Sequence, residues 1–407
     1  MRIFTAVRHS IDPTYFYGGL WSSNFYPALR KLGHEIVESQ TDLLPSSKFM
    51  QISSNFTSQE LEMRSQITQR IIDEVKQSHR QNPINLFLSY FYNSHFDPVG
   101  FAEIHQLGIP TVNFYCNSIS QFELVSQIAA KVNFSWHAEK EARESYLKVG
   151  ANPVWGQMGA DPDVYHPVAD VSRQSNACFV GQRYADRDRL LAKLIENQIP
   201  VDIYGSGWTV PIASANSLQS QEEPITEYLG RKLQQPSSFN SYAHTVLSFI
   251  KNEGAISGLL RTIRQLNYRR QSRKLDSIIA KSAYGFADNI SDTFAKHEVI
   301  LNFSNVWADG RPGSKLIPHV RLRDFEAPMC RTCYLTGYTD EITKFYELGK
   351  EIDTYSSSEE LLDKTKFYLN HPDEAEKLRE AGYQRALRDH TWECRFKELF
   401  SKINLLC

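Results

Sequence analysis

Two arginines follow a glycine in the second half of the chain, in a pattern suited to binding phosphate. They are Arg183 and Arg187, and the glycine is Gly181. A guanidinium can donate two parallel hydrogen bonds to phosphate oxygens, and a glycine lets the backbone approach a diphosphate closely. Near the start of the chain, Gly18 and Gly19 could offer backbone N–H groups in the same way. The alternatives are exposed arginines at a helix start and a simple strand-to-helix turn.

Several side chains in the first half are suited to proton transfer. His9 and Asp12 come just after the first predicted strand, and His95 and His137 lie at or just past the ends of later ones. Each is a candidate general base for activating a hydroxyl group. A lone histidine is more often a structural residue, so the sequence leaves both roles open for each of them.

The elements that position these residues alternate between strand and helix. The clearest helix is predicted at Thr57–Arg80, with Met63, Ile67, Ile71 and Val75 on one face. This alternation predicts a doubly wound parallel sheet, in which ligands bind beyond the carboxyl ends of the strands. The predicted strands of the first half are Arg2–Val7, His34–Ser39, Ile84–Phe91, Pro110–Cys116, Lys131–His137 and Asn152–Met158.

A second alternating series begins after Gly159–Val168, a Pro- and Gly-containing linker candidate. We predict a first α/β domain over residues 1–165 and a second over residues 166–390. A helix of the second domain should begin near Ser357, which has capping-box spacing to Glu360. The predicted strands of the second domain are Ala177–Gly181, Val201–Gly205, His297–Ser304 and Arg331–Thr336.

The alternation breaks over residues 209–283, which we interpret as a helical insertion in the second domain. One or two helices are predicted over Gly254–Ser282, and the stretch 261–281 is rich in basic residues. A solvated helix face and a docking surface for anionic lipid or an acidic acceptor are the two interpretations. The C-terminal segment 391–407 has Trp392 and further apolar residues at helical spacing. It is predicted to pack back towards the first domain.

Composition excludes several other classes of protein. The 407 residues are 41% hydrophobic and 23% charged, with a formal net charge of −2, which is typical of a globular protein without a nucleic-acid footprint. No apolar run is long enough to span a membrane, and no cleavable signal pattern begins the chain, so a cytoplasmic location is predicted. The six cysteines are scattered, which suggests free thiols; Cys330 and Cys333 are interpreted as packing residues. No metal site is predicted.

Six segments together resemble the GT-B glycosyltransferases. Tyr17–Glu35 resembles their glycine-rich opening loop and first helix, and Phe179–Leu190 and Val201–Trp208 resemble the first two strands of their nucleotide-sugar domain. Arg321–Cys330 resembles the glutamate-bearing helix start that meets the nucleotide ribose. Lys350–Leu361 and Phe367–Pro372 resemble the tail of the CgeB-like group, a relative of family 4. The resemblance implies two Rossmann-like domains facing each other across a cleft. The second would bind a nucleotide-diphosphate sugar without a metal or other cofactor.

The resemblance also implies roles for single residues. Glu326 would accept hydrogen bonds from the ribose hydroxyls, with Arg323 and Lys315 supplying positive charge nearby. Arg187 stands near the place of the family's lysine in the loop after Gly181. The remaining donor-side candidates are Gly18, Gly19, Arg183, Gly205 and Asp309.

The sequence departs from the family pattern at three positions. A second glutamate, eight residues before the ribose one in family 4, is replaced by Pro318, and Asp309 is one candidate to supply the missing carboxylate. Gln182 stands where the family has an arginine, with Arg183 next to it. Arg331 stands where the family has a glycine. These departures bear on the identity of the sugar more than on the fold.

The sequence therefore predicts a glycosyltransferase that moves a sugar to a glycan, glycolipid or other hydroxyl acceptor. Resemblance to family 4 favours retention of anomeric configuration. The alternatives are a nucleotide-sugar epimerase and a non-catalytic glycan- or nucleotide-binding protein on the same fold. Peripheral membrane contact through the basic stretch 261–281 is a further hypothesis.

Overall fold

The computed structural model describes residues 1–12, 19–208, 255–308, 310 and 312–405. Within these, the chain divides into two compact units. The first comprises residues 1–157 and those from Trp392 onward, and the second comprises residues from Met158 to Thr391.

The first unit is built on a six-stranded parallel sheet in the order β2-β1-β3-β4-β5-β6. Its central strands are buried along their whole length, as expected of a sheet covered on both faces. The strands are β1 (Arg2–Ala6), β2 (Glu35–Glu38), β3 (Leu86–Ser89), β4 (Thr111–Tyr115), β5 (Phe134–His137) and β6 (Pro153–Trp155). The helices are α1 (Leu20–Lys31), α2 (Leu44–Ser47), α3 (Ser58–Gln81), α4 (Phe101–Gln106), α5 (Ser118–Gln121), α6 (Ser126–Ala129) and α7 (Arg143–Lys148).

Helix α3 shows how local sequence sets an element in this unit. Thr57 accepts a hydrogen bond from the backbone of Glu60, and the Glu60 carboxylate accepts one from the backbone of Thr57. This capping box satisfies two backbone donors that would otherwise lack partners. Ile71 and Val75 are buried on the inner face. The helix predicted from Thr57 is therefore confirmed.

The second unit contains a five-stranded parallel sheet in the order β13-β12-β9-β7-β8 and a separate two-stranded antiparallel hairpin. The strands are β7 (Gln174–Val180), β8 (Val201–Tyr204), β9 (His297–Asn302), β10 (Asn305–Trp307), β11 (Leu316–Pro318), β12 (Cys333–Gly337) and β13 (Asp353–Tyr355). The helices are α8 (Arg187–Glu196), α9 (Ala255–Lys274), α10 (Asp276–Ile279), α11 (Ile290–Ala295), α12 (Arg323–Met329), α13 (Ser358–Asn370) and α14 (Pro372–Asp389).

Sequence reasoning missed three strands of this unit. Strands β10, β11 and β13 have three residues each, too few to show an alternating pattern. The strand predicted from Arg331 begins later, at Cys333, because Arg331 adopts a positive φ of 56° at the turn after α12. Cys330 and Cys333 are buried on either side of that turn, so their interpretation as packing residues is confirmed. The Ser357 cap of α13 is also present.

The helices predicted within the insertion are confirmed where the structure describes it. Helix α9 covers most of the basic stretch, and α10 follows it directly. Ile279 of α10 is buried in the core of the second unit together with Trp208. The part of the predicted insertion between residues 209 and 254 lies outside the described residues.

The last helix, α15 (Trp392–Lys402), packs on α1 in the first unit. The indole of Trp392 is fully buried, lies 5.1 Å from the ring of Phe25 and donates a hydrogen bond to Asn24. Phe396 packs against Trp136 at 5.6 Å. Burial of these aromatic side chains stabilises the packing of α15 on this unit.

Candidate donor site

The carboxyl edge of the second sheet contains the crevice expected of this topology. The chain passes from β7 to β8 on one side and then returns to β9 on the other, so β7 and β9 flank the point where strand order reverses. A cavity of about 250 Å³ opens beside this point. It is lined by Phe303, Ser304, Asn305, Pro318, Gly337, Tyr338, Tyr355 and Ser356.

Hydrogen bonds join the loops around this crevice. Asn305, just after β9, donates through Nδ2 to Oδ2 of Asp186 at 2.6 Å. The backbone N–H of Trp307 donates to the hydroxyl of Tyr184 at 3.1 Å. Arg321 donates to the backbone carbonyl of Asn305 at 3.1 Å. The loop after β7 and the segment after β9 are therefore tied together on both sides of the reversal.

Arg187 places a buried positive charge in this region. It is the first residue of α8, is 8% exposed, and donates through Nη1 to the carbonyl of Gln182 at 2.8 Å. Its Nε is buried without a hydrogen-bond partner, and no carboxylate of the described chain forms an ion pair with it. Burial, and then the nearby charge of Arg321, lower the pKa of Arg187 to about 9. The group stays protonated at pH 7. The neighbouring Asp186 raises the pKa and offsets the charge only in part, since no carboxylate is paired with the guanidinium.

The positive charges of Arg187 and Arg321 also lower the pKa of a neighbouring histidine. His319 is buried, and burial together with the charges of Arg321 and Arg187 holds its pKa well below the ordinary value. The imidazole is therefore neutral at pH 7. Two arginines around a neutral histidine form an electropositive crevice suited to an anion.

Two glycines allow the loops to approach each other. Gly205 has φ of +123°, and a Cβ there would overlap the backbone carbonyl of Gly181. A Cβ on Gly181 would come within 2.7 Å of the Phe179 ring and 3.3 Å of Nη1 of Arg187. Both predicted donor-side glycines therefore have a steric reason to be glycine, and that of Gly181 includes room for the Arg187 guanidinium.

Arg183, the other predicted phosphate ligand, is engaged within the protein. Its guanidinium donates to Asp276 at 2.7 Å, to the backbone and hydroxyl oxygens of Ser272 at 2.7 and 2.9 Å, and to Asp188 at 3.3 Å. These partners lie on α8, α9 and α10 or next to them. Arg183 thus joins the loop after β7 to the insertion helices, which favours Arg187 over Arg183 as an anion ligand.

Glu326 and Arg323 form a buried pair on α12. Nη1 of Arg323 lies 2.8 Å from Oε2 of Glu326, and both side chains are largely buried. Tyr165 hydrogen-bonds to Glu326, and burial together with this carboxylate raises the pKa of the tyrosine. The structure brings the two predicted residues together, with the Glu326 carboxylate shared between an arginine and a tyrosine.

Asp324, between them, was not identified as a candidate from sequence. Its buried carboxylate accepts hydrogen bonds from Tyr334 at 2.8 Å, Thr336 at 2.9 Å and Asn302 at 3.2 Å. It also accepts from the backbone N–H of Arg321 at 2.6 Å. It therefore ties β9 and β12 to the segment that carries Arg321. The signal available in the sequence was its place next to Glu326 in Arg-Asp-Phe-Glu.

The proposed base residues of the first unit lie near the carboxyl ends of its strands. His9 is buried and its Nε2 donates to the carbonyl of Tyr90 at 2.8 Å, while burial lowers its pKa to about 4. The rings of His9 and His95 lie 4.4 Å apart. His95 uses both ring nitrogens, accepting from the backbone of Tyr92 and bonding to Ser47, as a structural histidine does.

His137 differs from these because one ring nitrogen lacks a partner. Nδ1 donates to the carbonyl of Glu139 at 2.9 Å, whereas Nε2 is buried without a hydrogen bond. Burial lowers its pKa to about 4, so the ring is neutral. Asp12 is exposed, and Gly19 is the residue that directly precedes α1.

The remaining candidates are dispersed. Lys315 is exposed next to strand β11, while Gly18 and Asp309 lie outside the described residues. Gly181, Arg183, Arg187 and Gly205 cluster around the loop after β7. No group of three or more potential metal-ligating side chains occurs in the part of the chain that the structure describes.

Comparison with known proteins bears on this arrangement. Residues 263–401 match a family model described as glycosyl transferase-like. Among solved structures, HepE from Anabaena, in complex with UDP and glucose, superposes with a TM-score of 0.53 at 10% identity, over 100% of this chain and 99% of that one. A glycosyltransferase from Rickettsia africae gives 0.55 at 10% identity, over 98% and 97%. The chain has the GT-B glycosyltransferase fold.

Further comparisons agree with this GT-B assignment. Sucrose-phosphate synthase from Thermosynechococcus elongatus superposes with a TM-score of 0.54 at 11% identity, over 99% of both chains. No curated protein matches the chain by sequence. The predicted resemblance to the GT-B group and the predicted fold class of two Rossmann-like sheets are confirmed. None of the described helices of this GT-B chain is both long and apolar enough to cross a membrane.

Proposed function

We propose that this GT-B chain is a glycosyltransferase that binds a nucleoside diphosphate sugar at the carboxyl edge of its second sheet. The observation that carries the proposal is Arg187, a buried cation without a carboxylate partner in the described chain, at the point where strand order reverses. An unpaired buried charge is costly, and a diphosphate would compensate it. The HepE structure, which contains UDP, supports a nucleotide ligand by fold analogy.

In this proposal Arg187 stabilises the charge that develops on the diphosphate as the sugar bond breaks. Arg321 adds a second positive charge close to Arg187. Gly181 and Gly205 allow the loops after β7 and β8 to lie close together. The cavity beside Asn305 and Tyr338 receives the nucleotide or the sugar. Glu326 takes the ribose hydroxyls when its bond to Tyr165 opens.

The acceptor side of the proposal rests on the first unit. His9 and His137 are neutral at pH 7, and a reaction that inverts the anomeric centre would require one of them as a general base, whereas a retaining reaction needs no dedicated base. We infer a glycan, glycolipid or other hydroxyl acceptor and retention of configuration, with Asp12 near the acceptor. No metal is assigned a role, because the arginines supply the positive charge.

One observation favours a second candidate function, a protein that binds nucleotide sugar without catalysis. Pro318 lines the cavity at the position where the resembling enzymes carry a carboxylate. A chain without that carboxylate could bind nucleotide sugar without transferring it. Turnover distinguishes the two functions, because the binding protein would show affinity and no release of nucleoside diphosphate.

A ligand screen tests the proposal. Thermal unfolding is recorded with UDP, GDP, dTDP, ADP and CMP and their sugar conjugates, with EDTA or magnesium. At 100 times its dissociation constant a ligand adds about 2.7 kcal/mol to the free energy of unfolding. Wild type should respond to one nucleotide, Glu326→Gln should respond less, and the exposed control Arg388→Gln should match wild type.

Absence of any nucleotide response in a folded sample overturns the donor site. If a nucleotide binds, its sugar conjugate is incubated with candidate acceptors and the product is analysed by mass and by the anomeric NMR coupling. EDTA should leave the rate unchanged. Binding without nucleoside diphosphate release on any acceptor supports the second candidate.

A further inference from the structure

Helix α9 presents an exposed apolar stripe to solvent. Leu260, Ile263 and Leu266 are 49%, 46% and 46% exposed. At 100° per residue, these three side chains and those of Arg270 and Arg273 fall on one half of the helix. We call this half the outer face of α9. Large apolar side chains grouped on a helix surface indicate an interaction site more often than isolated ones do.

The charged residues of α9 are all basic. Over Ala255–Lys274 the sequence has six basic residues and no acidic one, although the whole chain has a formal net charge of −2. The basic residues are Arg261, Arg264, Arg269, Arg270, Arg273 and Lys274. Along the outer face the apolar residues come first and most of the exposed basic residues follow.

The opposite half of α9 holds the helix on the second unit. The Tyr268 hydroxyl donates to the carbonyl of Ala185 at 3.0 Å, and Thr262, at the border with the outer face, is buried. The Tyr268 ring lies 5.1 Å from that of Trp307, and Ser272 bonds to Arg183. Among the described residues, attachment of α9 therefore uses its inner side chains, and Leu260, Ile263 and Leu266 of the outer face remain exposed.

We propose that the outer face of α9 docks on the surface of an anionic lipid bilayer. Leu260, Ile263 and Leu266 enter the boundary between headgroups and acyl chains, while Arg270 and Arg273 contact the lipid phosphates. A basic helix with an apolar stripe and no acidic residue has the chemistry of an interfacial helix, and each basic side chain near such a surface strengthens binding. A soluble polyanion would account for the arginines and would leave the apolar stripe without a partner.

Docking through this face has a structural consequence for the crevice. Because Tyr268 and Ser272 hold the loop after β7, the loop would be kept at a fixed distance from the bilayer. This suits an acceptor anchored in lipid. The docking itself rests on α9 alone and does not depend on transferase activity.

Vesicle flotation of the full chain tests the docking. Two kinds of vesicle are compared: phosphatidylcholine alone, and phosphatidylcholine with roughly 30 to 40% phosphatidylglycerol. Each is tested at low and at high salt. Wild type should float with the anionic vesicles only, and less at high salt. Arg270→Glu with Arg273→Glu should weaken partitioning about thirtyfold or more. The matched control is Lys350→Glu with Lys377→Glu, which changes the net charge by the same amount at two exposed residues outside α9. This control should bind the vesicles like wild type.

The apolar half is tested separately. Leu260→Ser, Ile263→Ser and Leu266→Ser combined should weaken partitioning about tenfold, whereas Val99→Ser, at another exposed apolar residue, should have no effect. Circular dichroism and thermal unfolding check that each variant is folded. The proposal is overturned if wild type does not float with anionic vesicles. It is also overturned if either set of α9 variants floats like wild type.

Discussion

Replacing Arg187 with methionine should stabilise the free protein while weakening nucleotide binding. Burial and the neighbouring Arg321 lower the Arg187 pKa from 12.5 to about 9. With about 1.4 kcal/mol for each pKa unit, the charge costs a few kcal/mol in the free protein. Methionine fills similar space without the charge, so we expect the free energy of unfolding to stay level or to rise by up to a few kcal/mol. Charge-assisted hydrogen bonds to phosphate contribute about 1.5 to 3 kcal/mol, so affinity for the nucleoside diphosphate should fall between about tenfold and 150-fold.

Arg183→Met is the matched control, because the two arginines are close in sequence, in the loop after β7 and at the start of α8, and differ in their partners. Removing Arg183 leaves Asp188, whose side chain is 1% exposed, without its arginine. Breaking such a buried pair costs about 3 to 5 kcal/mol. Thermal and urea unfolding measure stability, and calorimetric titration with the nucleotide found in the screen measures affinity. The reasoning is refuted if Arg187→Met destabilises the chain as much as Arg183→Met and binds the nucleotide as tightly as wild type.

Three further predictions follow from packing and protonation. Gly205→Ala should lower the melting temperature and the nucleotide affinity, because its Cβ would overlap the carbonyl of Gly181; an unchanged melting temperature would contradict the steric argument. His9 and His137 have pKa values of about 4 against 6.5 in the unfolded chain, so the folded state binds fewer protons between these values. Stability should therefore fall as the pH drops from 6.5 to 4, by up to roughly 3 kcal/mol per histidine, and a glutamine at either site should flatten the measured pH profile. Trp392→Ala should cost about 3 to 5 kcal/mol and expose α1 to hydrogen exchange; unchanged protection of α1 would count against the packing of α15.

The alternation of strands and helices was predictable because long apolar runs and capping residues are local signals. The strands from Arg2 and Val201 and the helix from Thr57 begin close to where the pattern placed them. Strand β13 and the β10–β11 hairpin were not predictable, since three residues carry too little periodicity. Their positions depend on pairing with partners that are distant in sequence.

For the candidate site, residue types and spacing were enough to single out Gly181, Arg183 and Arg187, whereas Glu326 was singled out by the resemblance to the GT-B enzymes. The sequence could not rank the two arginines, because their difference lies in partners far along the chain. Arg183 meets Asp276, 93 residues later, whereas Arg187 meets the repulsive charge of Arg321. Local sequence thus determined which side chains able to bind phosphate follow the first strand of the second unit. Only the tertiary structure decided which of the two arginines has a paired carboxylate in the described chain, because pairing depends on what the fold brings within a few ångströms.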